Sequence, residues 1–284
     1  MLSILFSILC STGVLILFKT TPNTKAITAH LILVGYAVSV LAGLLILPVS
    51  FHHTDSLWLL AAAIEGIAFY LVFHLMARSA QLGGIAFTGL ASKMSVVIPV
   101  TIGLVFLGDS LNMFVVAGVL LGLAAVILSA GDKMTSDSWR WPLLVFLGTG
   151  TIDASFKLFQ VWGLSEASFP GFIVTIFGFA LLTGALVFMI KDRSAIRRSS
   201  LVAGVILGLL NLGSVHFLMK ALAIPELDST VVYALNSFGI VFMSLLVAVV
   251  LFKERFSIKG YSAMVMAVAS ILVLYLSYNL TESV

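Results

Sequence analysis

Three ionisable side chains sit deep inside apolar stretches of this sequence: Glu65, Lys93 and Asp153. In the middle of a bilayer a charge costs from about 3 to over 10 kcal/mol, so such a residue persists only when paired, neutral or facing water. Lys93 lies about nine residues from the nearer end of its stretch, or roughly 13 Å at helical rise, and snorkelling covers only part of that distance. Its type suits an anchor for a carboxylate or phosphate; the alternative is a structural ion pair with Glu65 across the bundle. Asp153 and Lys157 are four apart and share a helix face, with Thr149 one turn earlier and Gln160 nearby. For Lys157 alone, an intrahelical salt bridge with reach to the interface is the favoured reading. An acid held away from bulk water can take up and release a proton, so Asp153 is a candidate for proton coupling and Glu65 its rival.

Uncharged polar residues extend this set. Ser3, Ser7 and Ser11 recur at four-residue spacing in the first stretch. Serine in a membrane helix more often bonds back to its own helix or packs as a small residue, and Ser11 is the deepest candidate for contact with a bound molecule. Asn211, and Tyr233 with Asn236 three residues apart, are deep enough to offer hydrogen-bond donors and acceptors, with interhelical adhesion as the alternative. His30, His74 and His216 are isolated, and His52-His53 falls in a loop; no spacing resembles a zinc site, and neither metal nor cofactor is expected. No serine–histidine or multi-histidine/aspartate arrangement lies on adjacent turns, which argues against an intramembrane enzyme or lipid-handling protein, the rival class.

The elements that must position these residues are set by composition. Mean hydropathy is +1.20. Only 10% of residues are charged, against about a quarter in soluble domains. The expected fold is an all-α integral membrane protein of ten transmembrane helices. The spans are Leu2–Phe18, Ala26–Leu47, Leu57–Ala80, Ile85–Leu107, Leu111–Ala130, Trp141–Trp162, Phe169–Ile190, Leu201–Leu222, Asp228–Phe252 and Ile258–Tyr278. Backbone groups without water must bond within the chain, so the spans are helical. The first span reads as a retained helix, with cleavage as the alternative. Trp58, Trp139, Trp141 and Trp162 fall at span ends, as an aromatic belt does. The net charge of +3 reflects membrane-flanking residues, and no nucleic-acid partner is expected; Cys10 is the single cysteine.

Basic residues orient the spans. Twelve lie in connections after the odd-numbered spans: Lys19, Lys25, Arg78, Lys133, Arg140, Lys191, Arg193, Arg197, Arg198, Lys253, Arg255 and Lys259. The opposite loops hold Asp55, Asp109, Glu166, Glu226 and Asp228, with Lys220 at a nearby helix end. Because basic loops stay in the cytoplasm, both termini are expected outside it.

A repeat runs through the chain. A shift of 145 carries Gly118 and Gly122 onto Ala263 and Ala267, Asp109 onto Glu254, and Ser92 onto Ser237; a shift of 138 carries Phe18-Lys19 onto Phe156-Lys157. Two five-span halves follow, residues 1–131 and 141–279, joined by 132–140. An odd number of spans makes the halves inverted. The Gly118-x-x-x-Gly122 and Ala263-x-x-x-Ala267 faces permit close helix approach, either within one chain or in a homodimer.

With these features the chain resembles the EamA-like branch of the drug/metabolite transporter (DMT) superfamily. The resemblance rests on the two five-helix halves, on Lys19 and Lys157 near the ends of the first helix of each half, and on Leu107-Gly108-Asp109-Ser110-Leu111 and Phe252-Lys253-Glu254-Arg255-Phe256. The last two are similar to a Gly-Glu-Arg signature after helices four and nine, with Asp and Ser for Glu and Arg in the first copy and Lys for Gly in the second. The resemblance implies a secondary transporter in a bacterial inner membrane, whose cavity is lined by spans one, three, four, six, eight and nine. Its members commonly keep both termini in the cytoplasm, the reverse of the basic-residue count here. The expected cargo is a small polar metabolite, anionic or zwitterionic, such as an amino acid. The expected site residues are Lys93, Glu65, Asp153, Lys157, Ser11, Thr149, Asn211, Tyr233 and Asn236. A channel is disfavoured because no filter-like loop or ring of charges is present.

Overall fold

Apolar stretches of bilayer length must satisfy their own backbone, and every regular element among the described residues is helical. The computed structural model describes residues 2–24, 26–49, 56–107, 113–130, 139–161, 169–191, 194–222, 224 and 229–282. The helices are α1 (Leu2–Thr20), α2 (Thr28–Ile46), α3 (Ser56–Leu82), α4 (Ile85–Met94), α5 (Val97–Ile102), α6 (Met113–Ala130), α7 (Arg140–Val161), α8 (Phe169–Lys191), α9 (Arg198–Leu222), α10 (Ser229–Val250) and α11 (Ile258–Glu282). Seven helical stretches among the described residues are long and apolar enough to cross a membrane, and Met113–Leu128 and Leu235–Val250 are shorter apolar helices. The protein is an all-α membrane protein in that sense.

In their described residues, nine of the expected spans fall on single helices; Leu111, Trp162 and Asp228 at span ends lie outside the described residues. The exception is Ile85–Leu107, which divides into α4, a turn at Ser95 and Val96, α5, and a π-helical stretch Gly103–Leu107. Pro99 explains the break. It has no N–H to give the Ser95 carbonyl four residues earlier, and its ring crowds that carbonyl. The chain tightens instead, and Ile98 N–H bonds the Ser95 carbonyl at 2.9 Å. The Ser95 hydroxyl lies 2.7 Å from the Ser92 carbonyl.

Packing joins helices from distant parts of the chain. α6 lies along α11, α2 along α9 and α8, α3 along α8 and α7, and α1 along α9 and α10; α4 packs on α10 and α7. Lipid tails are as apolar as leucine, so close van der Waals contact has to hold such pairs. Small residues provide it. A Cβ on Gly66 of α3 would stand 2.5 Å from Phe179 Cβ and 2.8 Å from the Ile176 carbonyl oxygen of α8. The Gly118 face of α6 is spent inside the chain, where the Ser270 hydroxyl of α11 donates to the Gly118 carbonyl at 2.7 Å and a Cβ on Gly118 would meet Leu274 Cγ at 2.6 Å. The largest buried cluster, which includes Phe18, Tyr36, Phe73, Phe172 and Phe177, gathers side chains from α1, α2, α3, α8 and α9.

The end of α10 is a left-handed elbow. Phe252 N–H bonds the Val247 carbonyl at 3.3 Å and Glu254 N–H the Ala248 carbonyl at 2.9 Å. Between them Lys253 takes φ +52°, a conformation in which the Cβ of an L-residue crowds the following carbonyl.

Candidate functional site

α7 inserts between α3 on one side and α4 with α5 on the other. This placement brings the three deep charges together. Residues two apart on a helix point about 200° apart, at 3.6 residues per turn, so Asp153 and Ser155 face different neighbours. Asp153 faces the α4–α5 break, and the Ser95 hydroxyl lies 3.0 Å from its Oδ2. Ser155 lies beside Glu65 of α3, and its hydroxyl donates to the Thr151 carbonyl of its own helix at 2.7 Å.

Lys93 and Asp153 interact through space across this gap, without a direct ion-pair contact. The sequence alternative, a Lys93–Glu65 pair, is not what the chain forms. The field of Asp153 reaches both Lys93 and Glu65, because α7 stands between the helices carrying them. Glu65 is 1% exposed, and its Oε2 has no hydrogen-bond partner. Lys93 is half-buried and Asp153 is exposed. The arrangement offers one basic and one acidic side chain, held apart, beside a broken helix. Discontinuous membrane helices are a recurrent way of building such sites, because their freed backbone groups and ends can meet a polar ligand.

The other expected residues are distributed differently. Thr149 is half-buried on α7 and its hydroxyl donates to the Val145 carbonyl at 2.6 Å, so its proton is used within the helix. Lys157 belongs to α7, but its side chain, like that of Gln160, lies outside the described residues. Ser11 shares a 2.7 Å hydrogen bond with Ser214 of α9, and Ser7 donates to the Ser214 carbonyl at 3.0 Å; together they join α1 to α9. Asn211 of α9 and Asn236 of α10 are buried at 9% and 4% exposure. Neither bonds to the Lys93–Asp153–Glu65 group among the described residues. Asn236 Oδ1 has no partner. Tyr233 is 50% exposed, so the two residues do not share one environment despite their spacing.

Sequence reasoning missed Ser95 and Ser155. Ser95 had a legible signal: it stands four residues before Pro99, where a helix must open. Ser155 had none, since its role depends on which helix lies behind α7.

No family model matches the chain. It is similar to an uncharacterised protein of Haemophilus influenzae, 24% identical over 286 residues, which cover 96% of this chain and 97% of that protein. Among solved structures, a crystal structure of another protein has the same fold, with a TM-score of 0.56 and 21% identity; the match covers 97% of this chain and 98% of that one.

Proposed function

We propose that the chain is a secondary carrier for a small polar metabolite, built as two inverted five-helix halves and related to the EamA-like transporters. The observation that carries this reading is the Lys93–Asp153 pair. The two groups of opposite charge type belong to different halves, interact through space and do not close on one another. A zwitterion such as an amino acid would give each its missing partner, its carboxylate to Lys93 and its ammonium to Asp153.

Exchange of the halves preserves the most extensive helix packings, although α1 on α3 has no counterpart in α7 on α9 among the described residues, and this supports the inverted repeat. Under that exchange α2 on α9 becomes α8 on α3, α1 on α10 becomes α7 on α4, and α1 on α9 becomes α7 on α3, while α6 on α11, α2 on α8 and α4 on α10 map onto themselves. The left-handed φ of Lys253 is the conformation glycine adopts freely, in keeping with glycine at this position of the Gly-Glu-Arg signature. Glu65 of α3 and Asp153 of α7, which interact through space, are the proposed proton-coupling acids. The location is a bacterial inner membrane with the basic loops in the cytoplasm.

The test is a thermal-shift screen of purified protein against amino acids and related metabolites at two pH values, followed by counterflow in proteoliposomes with the compound that binds. Binding raises the melting temperature by mass action. Lys93→Met is expected to stay folded and to lose both the shift and the flux; full flux in that variant removes the anchor role.

A further inference from the structure

The end of α1, the start of α4 and the elbow after α10 meet at one carboxylate. Lys19 Nζ lies 3.1 Å from Glu254 Oε1. Ile85 N–H, the first of α4, donates to the same oxygen at 3.4 Å. Gly84, at φ +94°, comes so near that a Cβ on it would stand 2.7 Å from Glu254 Oε2. Gln81 Nε2 donates to the Phe18 carbonyl at 3.2 Å and ties the end of α3 to the same corner. Lys19, Gly84 and Ile85 belong to the N-terminal half, and Glu254 to the C-terminal half.

Behind this corner the chain is filled. Every residue from Gly84 to Ala91 is buried, so the first two turns of α4 face neither lipid nor water. A Cβ on Gly89 would press on Ser244 of α10 at 2.5 Å and on Leu15 of α1 at 3.4 Å. Partial exposure resumes at Ser92 and Lys93, and Asp153 is open to solvent. The exposure of this charged group therefore does not come through the end that holds Lys19 and Glu254.

We infer that the Lys19–Glu254 pair, seated on Gly84 and Ile85, is the gate that closes the basic-loop face, and that the structure is the state open to the opposite face. The inference rests on the carrier reading. To open that face, Glu254 must leave both Lys19 and the α4 N-terminus, where the helix dipole favours its negative charge. Lys93 follows Ile85 on the same helix, about 12 Å further on at 1.5 Å per residue. Releasing Glu254 thus frees the element that carries the cargo anchor, which couples gate to site.

The test places a single cysteine, Ser92→Cys, in a Cys10→Ser background and measures its modification by a membrane-impermeant maleimide in vesicles of each orientation. The cysteine is expected to react from the acidic-loop face and to be protected from the basic-loop face. Lys19→Met and Glu254→Gln should each raise the basic-face rate roughly fivefold, as removal of one partly buried ion pair from a two-state equilibrium would. Lys19→Arg should keep the protection, and melting temperatures identify any variant that fails to fold. Unchanged protection in both Lys19→Met and Glu254→Gln, or no reaction from either face in the parent, overturns the gate. Flux of the bound metabolite, followed in the same vesicles, separates the two readings: faster basic-face labelling without flux in any variant counts against the carrier and leaves the gate standing, whereas normal flux with unchanged labelling counts against the gate alone.

Discussion

Ser95, on the turn between α4 and α5, lies 3.0 Å from Asp153 Oδ2 on α7, so a hydroxyl from the first half of the chain holds the acid of the second. Ser95 shares its single proton between Asp153 and the Ser92 carbonyl, which lies 2.7 Å away. It acts on a bound molecule through Asp153 and is a positioning residue. Ser95→Ala is expected to weaken cargo binding by roughly tenfold, the equivalent of one hydrogen bond to a charged group. Titration calorimetry reads the affinity, and Ser95→Thr should recover part of it if orientation is the cause.

Lys93 and Asp153 should show coupled stabilities. Lys93→Met and Asp153→Asn each leave one charge without its counterpart, and each is expected to destabilise the protein by about 1–3 kcal/mol. The double variant removes both charges and should be more stable than the sum of the two losses implies, because a pair costs less to delete than to break. Thermal unfolding of the four proteins in one detergent measures the coupling; strict additivity would mean that the two charges do not sense each other.

Pro99 opens the helix that carries the anchor. Pro99→Ala restores a donor to the Ser95 carbonyl and should close the break at no loss of stability, since proline inside a helix costs about 3 kcal/mol. Cargo affinity should fall because Ser95 then leaves Asp153. A melting temperature that is unchanged or raised, together with weakened binding, is the expected result.

The elbow after α10 holds a lysine at φ +52°. Lys253→Gly is expected to stabilise the protein by up to about 1 kcal/mol, and Lys253→Val to destabilise it by a similar amount, because left-handed backbone costs an L-residue about 1–2 kcal/mol. Chemical denaturation of the three proteins checks the order.

Gly118 and Ser270 close the α6–α11 seam inside one chain. Gly118→Val would drive a side chain into Leu274 and should destabilise by about 1–3 kcal/mol, as overpacking does. It should leave the oligomeric state in detergent unchanged. Light scattering coupled to size exclusion distinguishes this from a seam between two copies.

Much of this chain was legible before any fold was known. Helix positions follow from stretches matched to bilayer thickness, and α1, α8 and α9 start or end within three residues of the expected spans. Glu65, Lys93 and Asp153 stood out because charge in an apolar stretch is costly. Their pairing was not legible. An ion pair with Glu65 was the alternative to the anchor reading of Lys93, but α7 occupies the space between α3 and α4 and presents Asp153 there; no local pattern encodes which helix intervenes. Lys19 read as an interfacial anchor for the same reason. Its partner Glu254 is brought to it by the elbow at Lys253, far along the chain. Tyr233 and Asn236 have the spacing of a shared face, yet tertiary packing buries one and exposes the other.

The first turns of α4 have no outward face, whereas the same span opens at Ser95 and loosens into a π-helical stretch by Gly103. Backbone amides from Phe87 to Ala91 are therefore expected to be among the slowest in the protein to exchange with deuterium, and those from Ser95 onward among the faster ones in a buried span. One stretch of chain then behaves as an anchor at one end and a pliable tongue at the other, with Lys93 at the boundary. A bound molecule there pulls against a fixed point and moves a soft one.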